Sequence, residues 1–510
     1  MALVQSQQFT RSGLGTKSSQ AIVVFGAESN GTREQGSEKN RLPGLRLFSR
    51  IEFDSVTQLP DDVEISRRPR LAPKLGLFDA TMMVMGGIVG AGIFMNPYVV
   101  AQRLHSPVLI LAVWVAGGVI AILGSFVYAE LGDRIPEVGG QYEYLRQSLH
   151  PVFGFLYGWA LLLVIQTGGM AAVAVTFARY FLELTRLPYS EHWVIVVTLA
   201  VLTAVNCLGV KPGGRFQSVL MVLKIAAIAA LVGAGIFLVR APKPMFHPVL
   251  DRPVSFDLFT ALGAAMVPVL FSYGGWQTTS FIASEIRDAR KNLGRALMIG
   301  VAAVVVLYLS VNIVCVRTLG VTALAATSVP ASSVMQIVAG ERGARLIAFG
   351  IAVSTVGYLS QSVLTAPRVY FAMAEDGLFF RSVAYLTRKT QVPVVAIVLQ
   401  SVWTVVIALS GKYEQILNFQ APIDFTFFGL SATCLFVLRH RERSRPTRNP
   451  GFRVPGHPYT TLIFILSCWL IVANALWKYP VNSSIGFVII LTGLPVYALW
   501  QRRRLKEAKQ

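Results

Sequence analysis

The sequence is short of charge. Asp, Glu, Lys and Arg make up 14% of its 510 residues, whereas 54% are hydrophobic. Soluble domains carry roughly 25% charged residues, so this balance excludes an ordinary set of them and makes an integral membrane protein the expectation. Acid is scarcer than base, 26 Asp and Glu against 46 Lys and Arg. The basic excess lies between apolar runs, which argues for membrane topology and against a nucleic-acid partner. Cysteine is rare: Cys207, Cys315, Cys434 and Cys468 each fall inside an apolar run, without metal-ligand or disulfide spacing, and read as small core residues. The chain also lacks HExxH, paired intramembrane carboxylates and any Ser/His/Asp grouping, so no enzyme, metal or cofactor is expected. No ring-forming filter repeat suggests a channel. No cleavable signal peptide is legible, because the apolar stretch from Ala21 to Ala27 is too short.

What is present in quantity is long apolar sequence. Residues 1–74, rich in Ser, Gly, Gln and mixed charge, read as a disordered cytoplasmic tail. Windows of about 19 residues then predict twelve membrane helices, near 77–101, 107–131, 152–182, 193–210, 216–239, 258–284, 294–317, 343–373, 393–411, 415–438, 459–478 and 483–501. About 27 Lys and Arg fall on the side that carries both termini, the far N-terminal tail left out, against about 10 opposite, which makes both termini cytoplasmic. Residues 502–510 form a basic cytoplasmic tail. The expectation is an all-α membrane protein with its body at 75–500, lodged in the lipid bilayer of the plasma membrane.

The most informative stretch is GGIVGAGIFMNP, Gly86 to Pro97. A membrane helix must satisfy its own backbone hydrogen bonds, so this glycine density is costly unless the backbone lines a cavity. The spacing predicts a break at Gly90-Ala91-Gly92. Unpaired amides there would carry partial positive charge and suit a carboxylate. Small residues also permit close helix packing, which is the plainer reading. A second break is predicted in FSYGGWQ, Phe271 to Gln277, five spans later. Two interrupted helices opening two five-span halves point to an inverted-repeat transporter, and packing alone demands no such counterpart. The halves are then 75–240 and 256–439, a 5+5 inverted repeat of the leucine-transporter type with helices 1 and 6 broken, plus two added helices at 459–501.

Several long motifs stand in order: GLFDATMMVMGGIVGAGIF (Gly76 to Phe94), YAELGDRIPEVGGQYEYL (Tyr128 to Leu145), FSYGGWQTTSFIASEIRDARKNLGRAL (Phe271 to Leu297), APRVYFAMAEDGLF (Ala366 to Phe379) and RPTRNPGFRVPGHP (Arg445 to Pro458). Through them the chain resembles the amino acid, polyamine and organocation transporter superfamily, most closely its L-type amino acid transporter branch with prokaryotic members. The resemblance implies a secondary transporter moving amino acids by alternating access, as exchanger or proton symporter; polyamine or cationic amino acid transport is the alternative. It implies that backbone amides of Gly90, Ala91 and Gly92 hold the substrate carboxylate. Carbonyls of Ile88, Phe271 and Gly274 would meet the amino group beside Gly275, with Phe271 as an aromatic gate. Many relatives have Ser or Thr where this chain has Ala91, which removes a hydroxyl donor but leaves the backbone donors. Thr167, Gly168, Trp276 and Asp424 are placed around the side chain, although Trp276 could equally be a packing residue. Animal L-type relatives bind a disulfide-linked subunit through a cysteine in the loop after span 3. Here Leu184 to His192 has none, so no such heavy chain is expected.

Two ionisable residues interrupt spans. Lys224, in SVLMVLKIAAIAAL, must face a polar cavity or snorkel to the headgroups. The resemblance places it where sodium-driven relatives bind a cation, which implies sodium-independent coupling. Asp424, in FQAPIDFTFFGL, could bind a cationic side chain, carry a proton, hydrogen-bond a polar substrate or pair structurally with a hydroxyl. Glu130 and Glu285, near Arg134, Arg287, Arg290 and Arg368, suggest either ion pairs that favour one conformational state or a solvated rim. Asp79 reads as a helix-start residue.

Overall fold

The computed structural model describes residues 71–410, 413–444 and 451–507. Of the tail expected at 1–74, residues 1–70 lie outside the described residues, as do the last three of the basic C-terminal tail. Contacts divide the chain after Ser66, and every described residue belongs to the second unit, Arg67–Gln510. The described residues form helices joined by short turns and by two longer connections, 238–255 and 376–393, with one isolated bridge between Leu75 and Ile286.

Ten helices among the described residues are long and apolar enough to cross a membrane, from Leu77–Ala101 to Pro480–Arg504. The runs expected at 193–210 and 393–411 form the apolar helices Glu191–Cys207 and Val394–Ser410, each of 17 residues and at the short end of what spans hydrocarbon. Helix starts follow local chemistry. Pro opens the helices at 107, 151, 330, 367 and 480, where the missing N–H costs nothing. The Ser106 hydroxyl accepts from Leu109 N–H, and Asp79 reaches back to Gly76 N–H at 3.1 Å.

Two expected spans extend further than their apolar windows. Ala289–Ala326 and Pro330–Thr365 bend at Gly320 (φ 72°) and Gly340 (φ 65°), which join a long helix to a short one on the same side of the bundle. The third expected span, Pro151–Thr185, contains a π-helical turn at Leu161–Ile165. One extra residue in a turn rotates the following face by about 100°.

The first half of the broken helix, Leu77–Ile88, is buried along most of its length between Val210–Phe237, Ala289–Ala326 and Pro330–Thr365. The periphery has the opposite character. Tyr459–Lys478 exposes Leu462, Leu466, Trp469 and Leu470, and the last helices expose Val481, Val488 and Leu494. An apolar exterior around a core containing Gln217, Lys224, Gln361 and Gln400 is the arrangement expected of a chain surrounded by lipid.

Candidate substrate site

The first helix ends at Ile88 because Val89 turns to extended dihedrals (φ −76°, ψ 91°), and helix resumes at Gly92. The second broken helix runs Phe256–Tyr273 and then turns through Gly274 and Gly275 into the 3₁₀ segment Trp276–Glu285. Gly275 has φ 103°, and a Cβ there would lie 2.1 Å from the Gly87 carbonyl oxygen. The breaks therefore meet backbone to backbone, and only glycine permits that conformation and approach together. Between the breaks is a cavity of ≈ 50 Å³ lined by Ile88, Gly90, Ala91 and Gly92 from the first and Phe271, Gly274 and Gly275 from the second. Asp424 lines it from a different helix.

The electrostatics follow from what each break leaves unpaired. Among the described residues no protein acceptor takes the amides of Gly90, Ala91 or Gly92, which stand at the positive end of Gly92–Ala101. The carbonyls closing Leu77–Ile88 are taken up by other helices. Lys224 Nζ donates to Val89 O at 2.5 Å and Gly86 O at 3.4 Å, Ser354 Oγ approaches Val89 O and Gly90 O, and Tyr308 Oη donates to Ile88 O at 3.0 Å. A buried ammonium at a helix C-terminus opposes the partial negative charge of those carbonyls. Lys224 thus reaches inward to the break and is fully buried, which removes the snorkelling reading.

At the second break Phe271 O accepts from Gly274 N–H at 3.2 Å, so it and Ile88 O each retain one lone pair for an amino group. Gly275 O is occupied by Thr278, and Gly275 N–H by Gln277 Oε1. The half-helices Gly92–Ala101 and Phe256–Tyr273 are tied together by Asn96, whose amide donates to Pro268 O at 2.9 Å and Ser272 Oγ at 2.7 Å. Pro268 cannot donate to Ala264 O four residues back, and Arg103 Nη1 satisfies that carbonyl instead.

Three of the expected side-chain positions stand away from the cavity lining. Trp276 is buried in an aromatic cluster, its ring stacked on Phe428 at 5.4 Å and edge-on to Tyr128 at 4.8 Å, and so serves packing. Thr167 directs its hydroxyl to Leu162 O at 2.6 Å, and neither it nor Gly168 reaches the lining. The π-helical turn just before them changes the helix phase, so Ile165 and Gln166 line the cavity. Gln166, Tyr358 and Gln420 also line the cavity, and Ser354 and Tyr308 serve the first break, without a mark in the sequence. Periodicity offered no signal for them, because hydroxyls and amides in apolar runs look like tolerated polar residues until the break they serve is located.

At the bundle end that carries residues 130, 285 and 439, the expected ion pairs are present with altered membership. Glu130 takes Arg134, Arg439 and the Val454 N–H, and Arg368 Nε donates to Glu285 Oε1 at 2.8 Å with both side chains buried. Neither group includes Arg287 or Arg290. Lys74 and Leu75 N–H groups both donate to Glu285 O, which fastens the approach to the first broken helix onto the end of the second. In the amphipathic helix Gln141–Ser148, burial raises the Glu143 carboxyl above its ordinary pKa despite the opposing pull of Arg146.

Two interrupted membrane helices thus enclose a small cavity between free amides and partly free carbonyls. The chain belongs to the amino acid permease family, of the amino acid, polyamine and organocation superfamily: residues 75–500 match the model described as "Amino acid permease". It is similar to the "Large neutral amino acids transporter small subunit 2" of Mus musculus, 29% identical over 452 residues covering 85% of this chain and 82% of the relative. It is also similar to the "Cystine/glutamate transporter" of Homo sapiens, 27% identical over 94% of this chain and 92% of the relative. The "Serine/threonine exchanger SteT" of Bacillus subtilis (strain 168) is 26% identical over 85% of this chain and 98% of the relative. Membership and the ten apolar helices make this a multi-pass membrane protein of an amino acid transporting family.

Proposed function

We propose that the protein is a sodium-independent secondary transporter that carries amino acids across the plasma membrane by alternating access, as an exchanger or a proton symporter. Its two short apolar helices then count as spans 4 and 9, which completes twelve spans in a 5+5 inverted repeat with two added helices and both termini cytoplasmic. In this reading the substrate carboxylate binds the amides of Gly90, Ala91 and Gly92, and the amino group meets Ile88, Phe271 and Gly274 carbonyls beneath the Phe271 ring. A zwitterion is thereby accommodated without a buried side-chain charge opposite either group.

The observation that carries the reading is Lys224 Nζ on the carbonyls of Val89 and Gly86, at the end of the first half-helix. An ammonium there, permanent in an exchanger and cycling in a proton symporter, supplies the positive charge that a bound cation would otherwise bring, and the two cannot share those carbonyls. Free Cys207, Cys315, Cys434 and Cys468 all lie outside the loop from Leu184 to His192, consistent with action without a disulfide-linked heavy chain. The test is uptake of radiolabelled amino acids by purified protein in liposomes. Saturable, competed uptake that is unchanged when sodium is replaced by choline is expected; ohmic current or sodium-stimulated uptake overturns the reading. An acid-outside gradient that drives accumulation identifies a symporter, and dependence on amino acid loaded inside identifies an exchanger.

A further inference from the structure

The last helix, Gly493–Glu507, changes character within one turn. Leu494 and Leu499 are exposed like the rest of the apolar exterior, and Arg502, Arg503, Arg504 and Lys506 follow at once, also exposed. Residues 501–510 hold five basic side chains, these four and Lys509, against one acid, Glu507. Membrane topology requires only that such charge lie on one side of the bilayer. It does not require the charge to be organised, and here it is.

Arg503 Cζ lies 5.4 Å over the ring of Trp500, three residues back on the same helix. Phe380, exposed on the connection 376–393, meets the Trp500 ring edge-on at 5.2 Å. The aliphatic stem of Arg504 lies against the turn at Gly377 (φ 70°), where a Cβ would stand 3.8 Å from Arg504 Cδ. Elsewhere at this end of the bundle arginines are taken up by carboxylates, Arg134 and Arg439 by Glu130, and Arg146 by Glu143 and Asp376. Among the described residues Arg502, Arg503, Arg504 and Lys506 make no ion pair. Like charges on successive turns, such as Arg502 and Lys506, repel, so the arrangement calls for an anion. Guanidinium forks suit phosphate oxygens. A free phosphate would answer the charge and leave Phe380 and Leu499 exposed, whereas a phospholipid covers both, with its acyl chains on the apolar face and its phosphate at the basic turn.

We propose that Arg502, Arg503, Arg504 and Lys506, with Trp500 and Phe380 as an apolar floor, bind the phosphate headgroup of an anionic phospholipid in the adjoining leaflet. The inference goes beyond the proposed transport and does not depend on which solute is carried. The surface joins the last helix to the connection that leaves Pro367–Glu375, the helix whose Arg368 pairs with Glu285. A bound headgroup fastens these two elements together, so lipid charge acts at the bundle end that the buried ion pair holds.

The test is equilibrium binding of a fluorescent short-chain phosphatidylglycerol to the full-length protein in neutral detergent, competed by unlabelled lipids. Phosphatidylglycerol should compete at least about tenfold better than phosphatidylcholine, whose headgroup has no net charge. Arg502→Gln and Lys506→Gln should each weaken binding about fivefold, the increment expected per basic side chain at an anionic surface. Substitution of all four basic residues by Gln should abolish it, and Phe380→Ala should weaken it by removing part of the floor. Arg388→Gln with Lys389→Gln is the control, because the turn that carries them leans on Gly209 and Lys74, and binding there should be unchanged. Equal loss in the control and the fourfold variant would reduce the effect to general charge attraction and overturn the site, as would equal competition by the two lipids. Competition by glycerol 3-phosphate as strong as by phosphatidylglycerol would overturn the lipid in favour of a free anion. Uptake in liposomes of phosphatidylcholine alone should be the same for wild type and the fourfold variant, which separates loss of the lipid surface from loss of the carrier.

Discussion

The two breaks serve one cavity but are held in different ways. The second is closed mainly by its own chain: Thr278 and Gln277 satisfy Gly275, Gly274 N–H returns to Phe271 O, and all five residues lie within the same broken helix, with Gln361 of Pro330–Thr365 donating to Thr278 Oγ1 from outside. The first is held from outside. Its carbonyls depend on Lys224, Ser354 and Tyr308 from three other helices, and its amides have no acceptor among the described residues. A break closed by its own neighbours behaves as a rigid wall, whereas one closed by distant helices changes whenever those helices move. Under the proposed alternating access, this difference would place the greater conformational sensitivity at Leu77–Ala101.

The comparison can be broken most severely at the point where the two backbones touch. Gly275→Ala combines a left-handed dihedral, which costs about 1–2 kcal/mol for a residue with Cβ, with a Cβ 2.1 Å from Gly87 O. Uptake should be abolished and the melting temperature of the purified protein lowered by several degrees; a variant with normal uptake would show that the breaks need not meet. A smaller effect is expected at the externally held break. Lys224→Ala leaves the Gly86 and Val89 carbonyls without their ammonium, at a cost of about 1–3 kcal/mol, and should lower the initial uptake rate at least about tenfold. Gly357→Ala is the milder counterpart, because its Cβ would meet Lys224 Cε at 2.6 Å and displace the ammonium rather than remove it. Its rate should fall between those of wild type and Lys224→Ala. Full activity in Lys224→Ala would reduce the contact to packing.

The position of both breaks was legible in the sequence because glycine-dense segments in apolar runs conflict with the backbone requirements of a membrane helix, and GGIVGAGIF and FSYGGWQ show that conflict openly. Lys224 was legible for the same reason: one ammonium in an apolar run must find acceptors. The side-chain wall was half legible. Asp424 announces itself as an acid in a span, but Gln420 and Tyr358 do not, and the π-helical turn at Leu161–Ile165 that brings Gln166 to the cavity in place of Thr167 leaves no mark on hydrophobic periodicity. Trp276 was ambiguous in sequence because an aromatic beside a break suits either a pocket or a core, and its stack on Phe428 requires the fold to be seen.

The central claim is that backbone amides at the first break bind the substrate carboxylate, and Gly92 tests it most directly. A Cβ at Gly92 would lie 2.9 Å from Ser272 Oγ and 3.1 Å from Ser272 Cα, so a branched side chain there must crowd the junction between the two broken helices. The measurement is equilibrium binding of the best transported radiolabelled amino acid to purified wild-type and Gly92→Val protein, with matching elution profiles showing that both are folded. Saturable binding by the wild type and none by Gly92→Val is predicted. Wild-type affinity in Gly92→Val would place the carboxylate elsewhere and contradict the account.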